Sequence, residues 1–491
     1  MTFNSKTTAF LEWLNDQNVE ISNKIEIQDK RNLGQGRAVI AIEDIETDEE
    51  LFRLPRSMFL NPMNSALIKD YPSAKDKLLE LPQWEALILC LAYEWKAKGD
   101  ESRWKAYFDV LPINDPENYT FDQLIFWSDE EVNDLNPSYI VTRIGKESAD
   151  SLLSRVRGFI LALNISKLQD ISQEELHKVA ALIMSYSFDV QKEKESDGDG
   201  DDEEDEESME DDNIPVGSSS YVKSMVPLAD TLNADTMKHN ASLMNHTDCL
   251  VLKSLKAIKK GEQVFNTYSE HPNAEILRRY GYVEPDGSAA DFGEVSLTLI
   301  KDFFAKNTSL SESNIEDIIS ILCDIQAEEE EEFVLESYDC FASGEVIFEL
   351  IFTIQLLTVL AGINDETPFN DKSMETKDRA IRRVYKKCYQ LLDSGKLTEE
   401  LKDNLKRILE LRLEEYGPED GVIVELPMTR KVMANVVLQS ERKALQECLK
   451  GTKLFNSEER KYNFIPDAKL IKNIQKRDIF QEEPSKKQKT E

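Results

Sequence analysis

Few side chains in this sequence carry the usual chemistry of hydrolysis or metal binding. None of the four histidines, His177, His239, His246 and His271, stands in a motif with a nucleophile, so a hydrolytic triad is not indicated. The six cysteines lie far apart without a C-x-x-C pair, which argues against a zinc module and a disulfide framework. A P-loop and a full G-x-G-x-x-G fingerprint are also missing. We therefore predict no metal site and disfavour the common hydrolase classes.

Two segments carry residues that could hold a ligand. Residues 34–36 read GQG before a strand-like run, and a glycine lets the backbone approach a bound molecule, although a plain turn explains the same pattern. Residues 226–284 contain VPLADTLNADTMKHNASL and then GEQVFNTYSEHPNAEILRRYGYVE. Tyr268 ends a strand there, and Asn233 lies in a turn-like stretch. Taken singly, each is more typical of packing or of a turn than of function.

The elements that must position these segments show a repeated strand–turn–strand pattern. IETDEELF at 45–52 matches IKKGEQVF at 258–265 in residue type, and a mostly helical stretch separates the two. We expect small sheets from both ends of one domain to pack together around this helical insertion. Beyond about residue 300 the apolar positions recur at helical spacing, as in 401–412. The sequence predicts an α+β domain followed by an all-α domain.

Composition restricts the partners. The 491 residues include 59 Lys+Arg against 94 Asp+Glu, a formal net charge of −35. This sign argues against direct binding of nucleic acid or of an anionic membrane, because both need a basic footprint. A basic protein partner is expected instead. Residues 193–212 hold fourteen acidic residues and one lysine, which predicts a disordered loop that is either a solubilising insertion or a tether for that partner.

One apolar stretch and the two chain ends bear on localisation. Residues 346–363, VIFELIFTIQLLTVLAGI, are long enough to span a membrane but contain Glu349 and Gln355, so a buried helix is favoured. The first residues lack a basic region and an apolar core, which predicts a protein that stays in a reducing compartment. The final PSKKQKTE is either a nuclear-import signal or a solvated tail.

The motifs taken in order resemble the SET-domain protein-lysine methyltransferases, in the branch with a Rubisco large-subunit methyltransferase type of substrate-binding domain. The resemblance lies in GQGRAVIAIEDIETDEELFRLPRSMFL, SRWKAYFDVLP, LIFWSDEEV, ALIMSYSF and the two segments quoted above. These cover most of residues 22–297. Within the branch the sequence is most similar to fungal enzymes that modify a zinc-ribbon protein of the large ribosomal subunit. The repeated strand pattern then corresponds to two halves of a SET fold.

This resemblance implies the fold class and the domain boundaries. The class is α+β, a SET-domain β-fold with an inserted helical subdomain, followed by an all-α C-terminal substrate-binding domain. The expected parts are an N-terminal helix (1–21), a SET domain (22–269) with its insertion (62–225), a post-SET segment (270–299), the all-α domain (300–460) and a basic, disordered tail (461–491). We also expect a monomer.

The resemblance assigns the site residues one by one. The residues expected to contact S-adenosyl-L-methionine are Gln35, Gly36, Arg37, Tyr186, Asn233, Ala234 and Tyr280. Those expected on the substrate side are Trp104, Ser187 and Tyr268, of which Tyr268 matches the catalytic tyrosine at the mouth of the lysine channel. The sequence departs from the family at Ala234 and Asp235, which stand where the N-H-S/C motif has histidine and Ser/Cys.

The implied chemistry needs few ionisable side chains. Methyl transfer from a sulfonium to an amine is an in-line displacement, so the protein supplies alignment and electrostatics. A lysine with a pKa near 10.4 must first lose a proton, and an apolar channel beside the sulfonium lowers that pKa. Tyr268 would then orient the neutral amine.

Three functions are compatible with these residues. The first is methylation of a lysine in a large-subunit ribosomal protein, with residence in the nucleus and possible presence in the cytoplasm. The second is methylation of another target, such as a histone lysine or an actin histidine. The third is a non-catalytic acidic scaffold or chaperone that lost cofactor binding at Ala234.

Overall fold

The computed structural model describes residues 2–192, 213–370, 372–417, 424–451, 455 and 461–476. The chain divides into two compact units. The first consists of residues 1–134, 140–289 and 423–434, and the second of residues 135–139, 290–422 and 435–491. The acidic tract 193–212 and the lysine-rich chain end lie outside the described residues, so the predictions about them stay predictions.

The first unit combines small antiparallel sheets with mostly short helices. Its strands are β1 Glu20–Ile21, β2 Ile25–Asp29, β3 Arg37–Ala41, β4 Glu50–Pro55, β5 Ser187–Gln191, β6 Tyr221–Met225, β7 Ala241–Asn245 and β8 Cys249–Ser254. Its helices are α1 Phe3–Asp16, α2 Leu67–Asp70, α3 Lys75–Leu79, α4 Gln83–Ala92, α5 Lys105–Phe108, α6 Asp129–Asn133, α7 Lys146–Ala162, α8 Gln173–Tyr186 and α9 Asn273–Tyr280. One sheet has the order β1-β4-β8-β7, β2 pairs with β3, and β5 pairs with β6.

The two similar strand–turn–strand segments lie against each other, as predicted. Strands β4 and β8 are antiparallel. Ile45 and Ile258 exchange two main-chain hydrogen bonds of 2.9 and 3.0 Å, and both are 1% exposed. Val264 N–H donates to the Val39 carbonyl at 2.8 Å, which places the chain after β8 beside β3. Segments more than 200 residues apart in sequence therefore meet where the candidate site residues lie.

The helical insertion is held by a dense apolar core. Four aliphatic side chains of α4, Leu87, Ile88, Leu89 and Leu91, have no exposed surface. Burial of each contributes roughly 1.5–3 kcal/mol relative to exposure. Helix α8 begins with a capping box in which Ser172 and Glu175 bond each other's main-chain N–H groups. At the other end of α8, Ser187 begins β5 and pairs with Met225 of β6. The position of Tyr186, the last residue of α8, is therefore set by the helix on one side and by the sheet on the other.

The second unit is mainly helical. Its helices are α10 Leu297–Asn307, α11 Glu312–Glu329, α12 Phe348–Glu366, α13 Met374–Asp393, α14 Glu399–Glu415, α15 Arg430–Lys450, whose first residues belong to the first unit, and α16 Asp467–Gln475. Two small sheets pair β9 Phe292–Ser296 with β10 Ser337–Phe341, and β11 Lys396–Thr398 with β12 Asn463–Ile465. The predicted α+β class is confirmed.

Helix α12 is the apolar stretch that the sequence made a candidate for membrane insertion. Among the described residues it is the one helix with the length and composition to cross a membrane, and 78% of its apolar window is buried inside the protein. Gln355 has no exposed surface and bonds Thr398 through both ends of its amide, at 2.9 Å each. This pairing satisfies the polar group inside the core, as a core helix requires.

The predicted disorder of residues 461–491 is wrong for their first part. Residues 463–465 form β12, which pairs in parallel with β11, and residues 467–475 form α16. Leu470, Ile471 and Ile474 of this helix are each at most 7% exposed. Residues 461–476 include four lysines, yet these three aliphatic side chains share one helical face and are buried in the helical core.

Candidate active site

The candidate site is built on the turn that follows β6. The backbone of Leu228 adopts φ 78° and ψ −42°, a conformation that residues other than glycine avoid. The short 3-10 helix Ala229–Thr231 then directs the chain toward Leu232 and Asn233. Leu228 is 1% exposed and Leu232 has no exposed surface, so packing in the core holds this strained turn.

A buried carboxyl group stabilises the turn from inside. Asp230 is 8% exposed, and its carboxylate accepts a hydrogen bond from the hydroxyl of Tyr107. Burial raises the pKa of Asp230 to about 7, and its hydrogen bonds from Tyr107 and from main-chain N–H groups offset only part of this rise. The carboxyl group thus changes its charge near neutral pH while it holds the turn.

Asn233 connects three segments of the chain. Its side-chain Nδ2 donates to the Arg37 carbonyl at 3.3 Å, and its own carbonyl accepts from the Asn266 N–H at 3.0 Å. Ala234 forms a parallel bridge with Asn266, and Asp235 N–H donates to the Asn266 carbonyl at 3.3 Å. The turn after β6, the start of β3 and the segment after β8 therefore lie side by side.

Three tyrosines surround the end of that segment. The Tyr268 hydroxyl donates to the Leu232 carbonyl at 2.6 Å. The ring centroid of Tyr268 lies 4.8 Å from that of Tyr280 and 6.5 Å from that of Tyr282. Burial raises the pKa of Tyr268 well above its ordinary value, so its hydroxyl stays protonated over the physiological range. The three rings form an aromatic wall beside a main-chain carbonyl.

The turn before β3 shows why glycine is needed there. Gly36 has φ +61°, and a Cβ on it would lie 2.9 Å from the ring of Tyr119. The Tyr119 hydroxyl accepts a hydrogen bond from Arg37 Nη1 at 3.0 Å, which keeps the ring in place. Gln35 lies in the same turn, and its N–H donates to the Lys30 carbonyl at 3.2 Å. The Tyr119 ring occupies the space that a Cβ on Gly36 would need, and contact of this turn with a bound molecule stays a prediction.

The side chain of Arg37 does not face a ligand. It is 5% exposed, and its Nε donates to Thr7 Oγ1 at 2.9 Å while its Nη atoms donate to the carbonyls of Val110 and Phe3 at 3.0 and 3.3 Å. The bonds to Thr7 and Phe3 hold α1 against β3 within the first unit. Any contact of Arg37 with a cofactor must therefore come from its main chain.

Trp104 is a core residue, so its assignment to the substrate side is wrong for its side chain. The indole is 1% exposed, and its Nε1 donates to the Met58 carbonyl at 2.8 Å. The guanidinium of Arg103 stacks over the ring at 4.0 Å. A ring enclosed in this way stabilises the fold and offers no surface to a substrate.

Tyr186 and Ser187 lie at the junction of α8 and β5. Ser187 pairs with Met225, the last residue of β6 and the start of the turn described above. Burial raises the pKa of Tyr186, and the neighbouring charge of Asp230 raises it further. The structure thus brings Tyr186 to the same turn as Asp230 and leaves Ser187 at its edge.

The grouped residues favour binding of a cation over acid–base or metal chemistry. Carbonyl oxygens and aromatic faces attract positive charge, and Tyr268 supplies a fixed hydroxyl. Within the described part of the chain, histidine, cysteine, aspartate and glutamate side chains do not gather into a group that could hold a metal ion.

Comparison with known proteins decides the family. The SET domain family matches residues 36–269. Ribosomal lysine N-methyltransferase 4 from Saccharomyces cerevisiae is 41% identical to this chain over 503 residues, and the match covers 98% of each protein. The chain is a SET-domain lysine methyltransferase. Like other SET methyltransferases it uses S-adenosyl-L-methionine as methyl donor.

More distant relatives of this methyltransferase agree with the assignment. N-lysine methyltransferase setd6 from Danio rerio is 30% identical over 330 residues, which are 65% of this chain and 66% of that protein. The crystal structure of the SET domain of LSMT bound to lysine and AdoHcy superposes with a TM-score of 0.58 at 19% identity and covers 94% of each chain. The overall fold is therefore that of a SET-domain protein with a C-terminal helical region.

Several residues of the candidate site were not predicted from the sequence. Asp230 and Tyr282 lie inside the quoted segments, three positions from Asn233 and two from Tyr280, and could have been included. Tyr107 and Tyr119 could not, because no local signal shows that they meet residues of the turns after β6 and before β3. The Leu232 carbonyl is a main-chain group, so no pattern of side-chain types could have indicated it.

The buried carboxyl group leads to a prediction about pH and stability. An aspartate has an ordinary pKa near 3.8, and folding raises that of Asp230 to about 7, so between these values the folded state binds more protons than the unfolded state. The free energy of unfolding should therefore fall as pH rises from 4 to 7. In Asp230→Asn the first unit should lose part of this dependence, as measured by thermal unfolding at a series of pH values.

Glu441 of the second unit provides the comparison. Its pKa is also raised to about 7 by burial, between hydrogen bonds from Ser138 and Tyr416. Glu441→Gln should remove a separate part of the same pH dependence, and the double variant should remove both parts. An unchanged pH profile in Asp230→Asn would contradict the assignment of Asp230.

Proposed function

We propose that this methyltransferase modifies a lysine of a protein of the large ribosomal subunit. The supporting observation is the 41% identity to yeast ribosomal lysine N-methyltransferase 4 across 98% of both chains. That match extends well beyond the SET domain at 36–269 and includes the helical second unit. The net charge of −35 also suits a basic protein substrate.

The proposed cofactor site lies where the turn after β6 meets the turn before β3, which Asn233 links through its hydrogen bond to the Arg37 carbonyl. S-adenosyl-L-methionine supplies a methyl group activated on a sulfonium. The amide of Asn233 and the main chain of Ala234 are suited to its amino-acid end, the main chain of Gly36 lies in the turn before β3, and Tyr280 offers an aromatic face. Gln35, Tyr186 and the main chain of Arg37 complete the proposed contacts.

The lysine side of the site depends on the tyrosine wall. A lysine ammonium that leaves water and lies beside a cationic sulfonium is disfavoured relative to the neutral amine, because desolvation and the like charge both oppose the ammonium, so its pKa falls. The Tyr268 hydroxyl is held by the Leu232 carbonyl at 2.6 Å and stays protonated, so its oxygen can accept from the amine or contact the transferring methyl group. Ser187 lies at the edge of this region. These residues align the two reactants, which is the main task in such a displacement.

The experiment compares classes of substrate directly. Purified large-subunit ribosomal proteins, core histones and actin are incubated with cofactor labelled in its methyl group, and incorporation is located by mass spectrometry. We expect label on a lysine of a ribosomal protein and little in the same reaction with Tyr268→Phe. Preferential labelling of histone lysine or of actin histidine would replace the ribosomal proposal by that alternative.

The alternative of a non-catalytic scaffold is tested by measuring cofactor binding to the same purified protein. Calorimetric titration with S-adenosylhomocysteine measures cofactor binding without any substrate. Binding is expected although Ala234 lacks the imidazole of the family motif, because Asn233 and the surrounding main chain remain in place. A protein that does not bind cofactor would contradict the proposed site.

A further inference from the structure

The second unit contains a cleft that the methyltransferase site does not use. It has a volume of about 590 Å³, in the range of pockets that take small ligands or several side chains. Residues from the α11–β10 connection, the start of α12, the end of α13 and the 461–462 segment line it. The cleft is therefore assembled from parts of the chain that are distant in sequence.

The floor of the cleft is a rigid aromatic cluster. Phe352 is 1% exposed and lies 5.3 Å from Phe333 and 5.7 Å from Phe348, measured between ring centroids. The main chain of Phe333 is fixed by Gln326 and Thr353, which bond its N–H at 3.1 Å and its carbonyl at 3.2 Å. Tyr389 forms one wall and is 39% exposed, although its ring packs on Phe352 at 5.9 Å. An aromatic surface thus stays open to solvent.

The rim of the cleft is acidic. Its lining includes Glu331, Glu332, Glu349 and Asp393, with Lys461 as the cation among the lining residues. Glu331 and Glu332 end a run of five consecutive glutamates at 328–332. In the described part of the chain none of these four carboxylates takes part in an ion pair, whereas Glu328 of the same run is paired with Arg382 at 2.7 Å. Negative charge on the rim is thus largely uncompensated.

We propose that this cleft, defined by Phe333, Phe348, Phe352 and Tyr389 with its four rim carboxylates, docks a lysine- and arginine-rich segment of a basic protein. Long basic side chains lay their methylene groups on apolar surface while their charges reach carboxylates, and guanidinium groups stack on aromatic rings. The aromatic floor is suited to the methylene groups of such side chains, and the acidic rim is suited to their charged ends. The proposal rests on the proposed function in that the segment belongs to the protein substrate, away from the target lysine.

Binding is tested on the full chain without cofactor. The probe is a fluorescein-labelled twelve-residue peptide of alternating arginine, lysine and alanine, followed by fluorescence anisotropy at 50 and 200 mM salt. Neutralising the four rim carboxylates (Glu331→Gln, Glu332→Gln, Glu349→Gln, Asp393→Asn) should weaken binding about tenfold at low salt, as expected for several exposed ion pairs. Tyr389→Ala should weaken it severalfold with less dependence on salt.

The matched control removes the same charge elsewhere in the unit. Asp324, Asp365, Asp403 and Glu414 are exposed and do not line the cleft. The variant with Asn or Gln at these four positions should bind the peptide nearly as tightly as the wild type. Equal weakening in both neutralised variants would mean that net charge alone attracts the peptide, and the cleft proposal would be abandoned.

Two further measurements separate this proposal from its alternatives. In methyl transfer to the identified protein substrate, the rim variant should raise KM about tenfold and leave kcat unchanged, while the control variant changes neither. If the rim variant transfers methyl groups normally with an unchanged KM, the docking proposal for the cleft is wrong and the proposed methyltransferase function still stands. If deletion of residues 477–491 strengthens peptide binding only when the rim is intact, the occupant is the basic tail of this chain and the proposed partner is wrong.

Discussion

Replacement of Tyr268 by phenylalanine should lower kcat by about 10²–10³-fold, the loss typical when one preorganised polar group at a reacting centre is removed. The hydroxyl is fixed by a 2.6 Å bond to the Leu232 carbonyl and borders the aromatic wall where the amine is expected. The ring itself is retained, so the cofactor Kd should change little. Single-turnover rates and calorimetric titration with S-adenosylhomocysteine measure the two quantities.

Tyr282→Phe is the matched control for this result. Its hydroxyl makes only a long contact of 3.5 Å to the Ala234 carbonyl, and its ring lies in the same wall. Loss of this hydroxyl should reduce kcat by less than about tenfold, since a weak neutral hydrogen bond contributes little. Equal losses in both variants would show that the wall as a whole matters and that Tyr268 has no special role.

Replacement of Gly281 by alanine should destabilise the first unit more than other single glycine substitutions. Gly281 ends α9 with φ +75°, and a Cβ would lie 2.8 Å from the Gln123 main-chain nitrogen and 2.9 Å from the Asp122 carbonyl carbon. Left-handed backbone costs about 1–2 kcal/mol for alanine, and overpacking against main chain adds about 1–3 kcal/mol. We expect a loss of about 3 kcal/mol in the free energy of unfolding, measured by chemical denaturation.

Gly261→Ala isolates the backbone part of that cost. Gly261 has φ +90°, and nothing lies within 4 Å of the position of its Cβ. This variant should lose only about 1–2 kcal/mol and keep its activity. Gly281→Ala should also raise the cofactor Kd, because Gly281 joins Tyr280 to Tyr282. A Gly281→Ala protein as stable as Gly261→Ala would show that the 122–123 segment moves freely.

The fold class and much of the chain's organisation can be predicted from residue types and their spacing. The packing of the two strand–turn–strand segments against each other followed from their similar patterns, because strands of this kind need partners for their hydrogen bonds and their apolar faces. The burial of α12 followed from the carboxylate and amide within an apolar run. Residues 461–476 were misjudged, because a strand and a short helix there depend on β11 and on the helical core.

The candidate site was partly determined by sequence as well. Motif order led to Gly36, Asn233, Ala234, Tyr268 and Tyr280, and the structure brings their segments together, although the roles assigned to them stay predictions. Nuclear residence and a monomeric state also stay predictions. The alternatives for the substrate could not be separated by residue types alone.

Tertiary structure decided which chemical groups face the site. Trp104 has a side chain suited to substrate contact, yet the core encloses it. The guanidinium of Arg37 donates its hydrogen bonds to α1, to the Val110 carbonyl and to the Tyr119 hydroxyl. Asp230 looks like an ordinary surface residue in sequence, but burial beside Tyr107 gives it a pKa near 7. Local patterns specify strands, helices and turns because these depend on neighbours in sequence. Burial, charge state and hydrogen-bond partners depend on residues brought from far along the chain, and only the folded protein sets them.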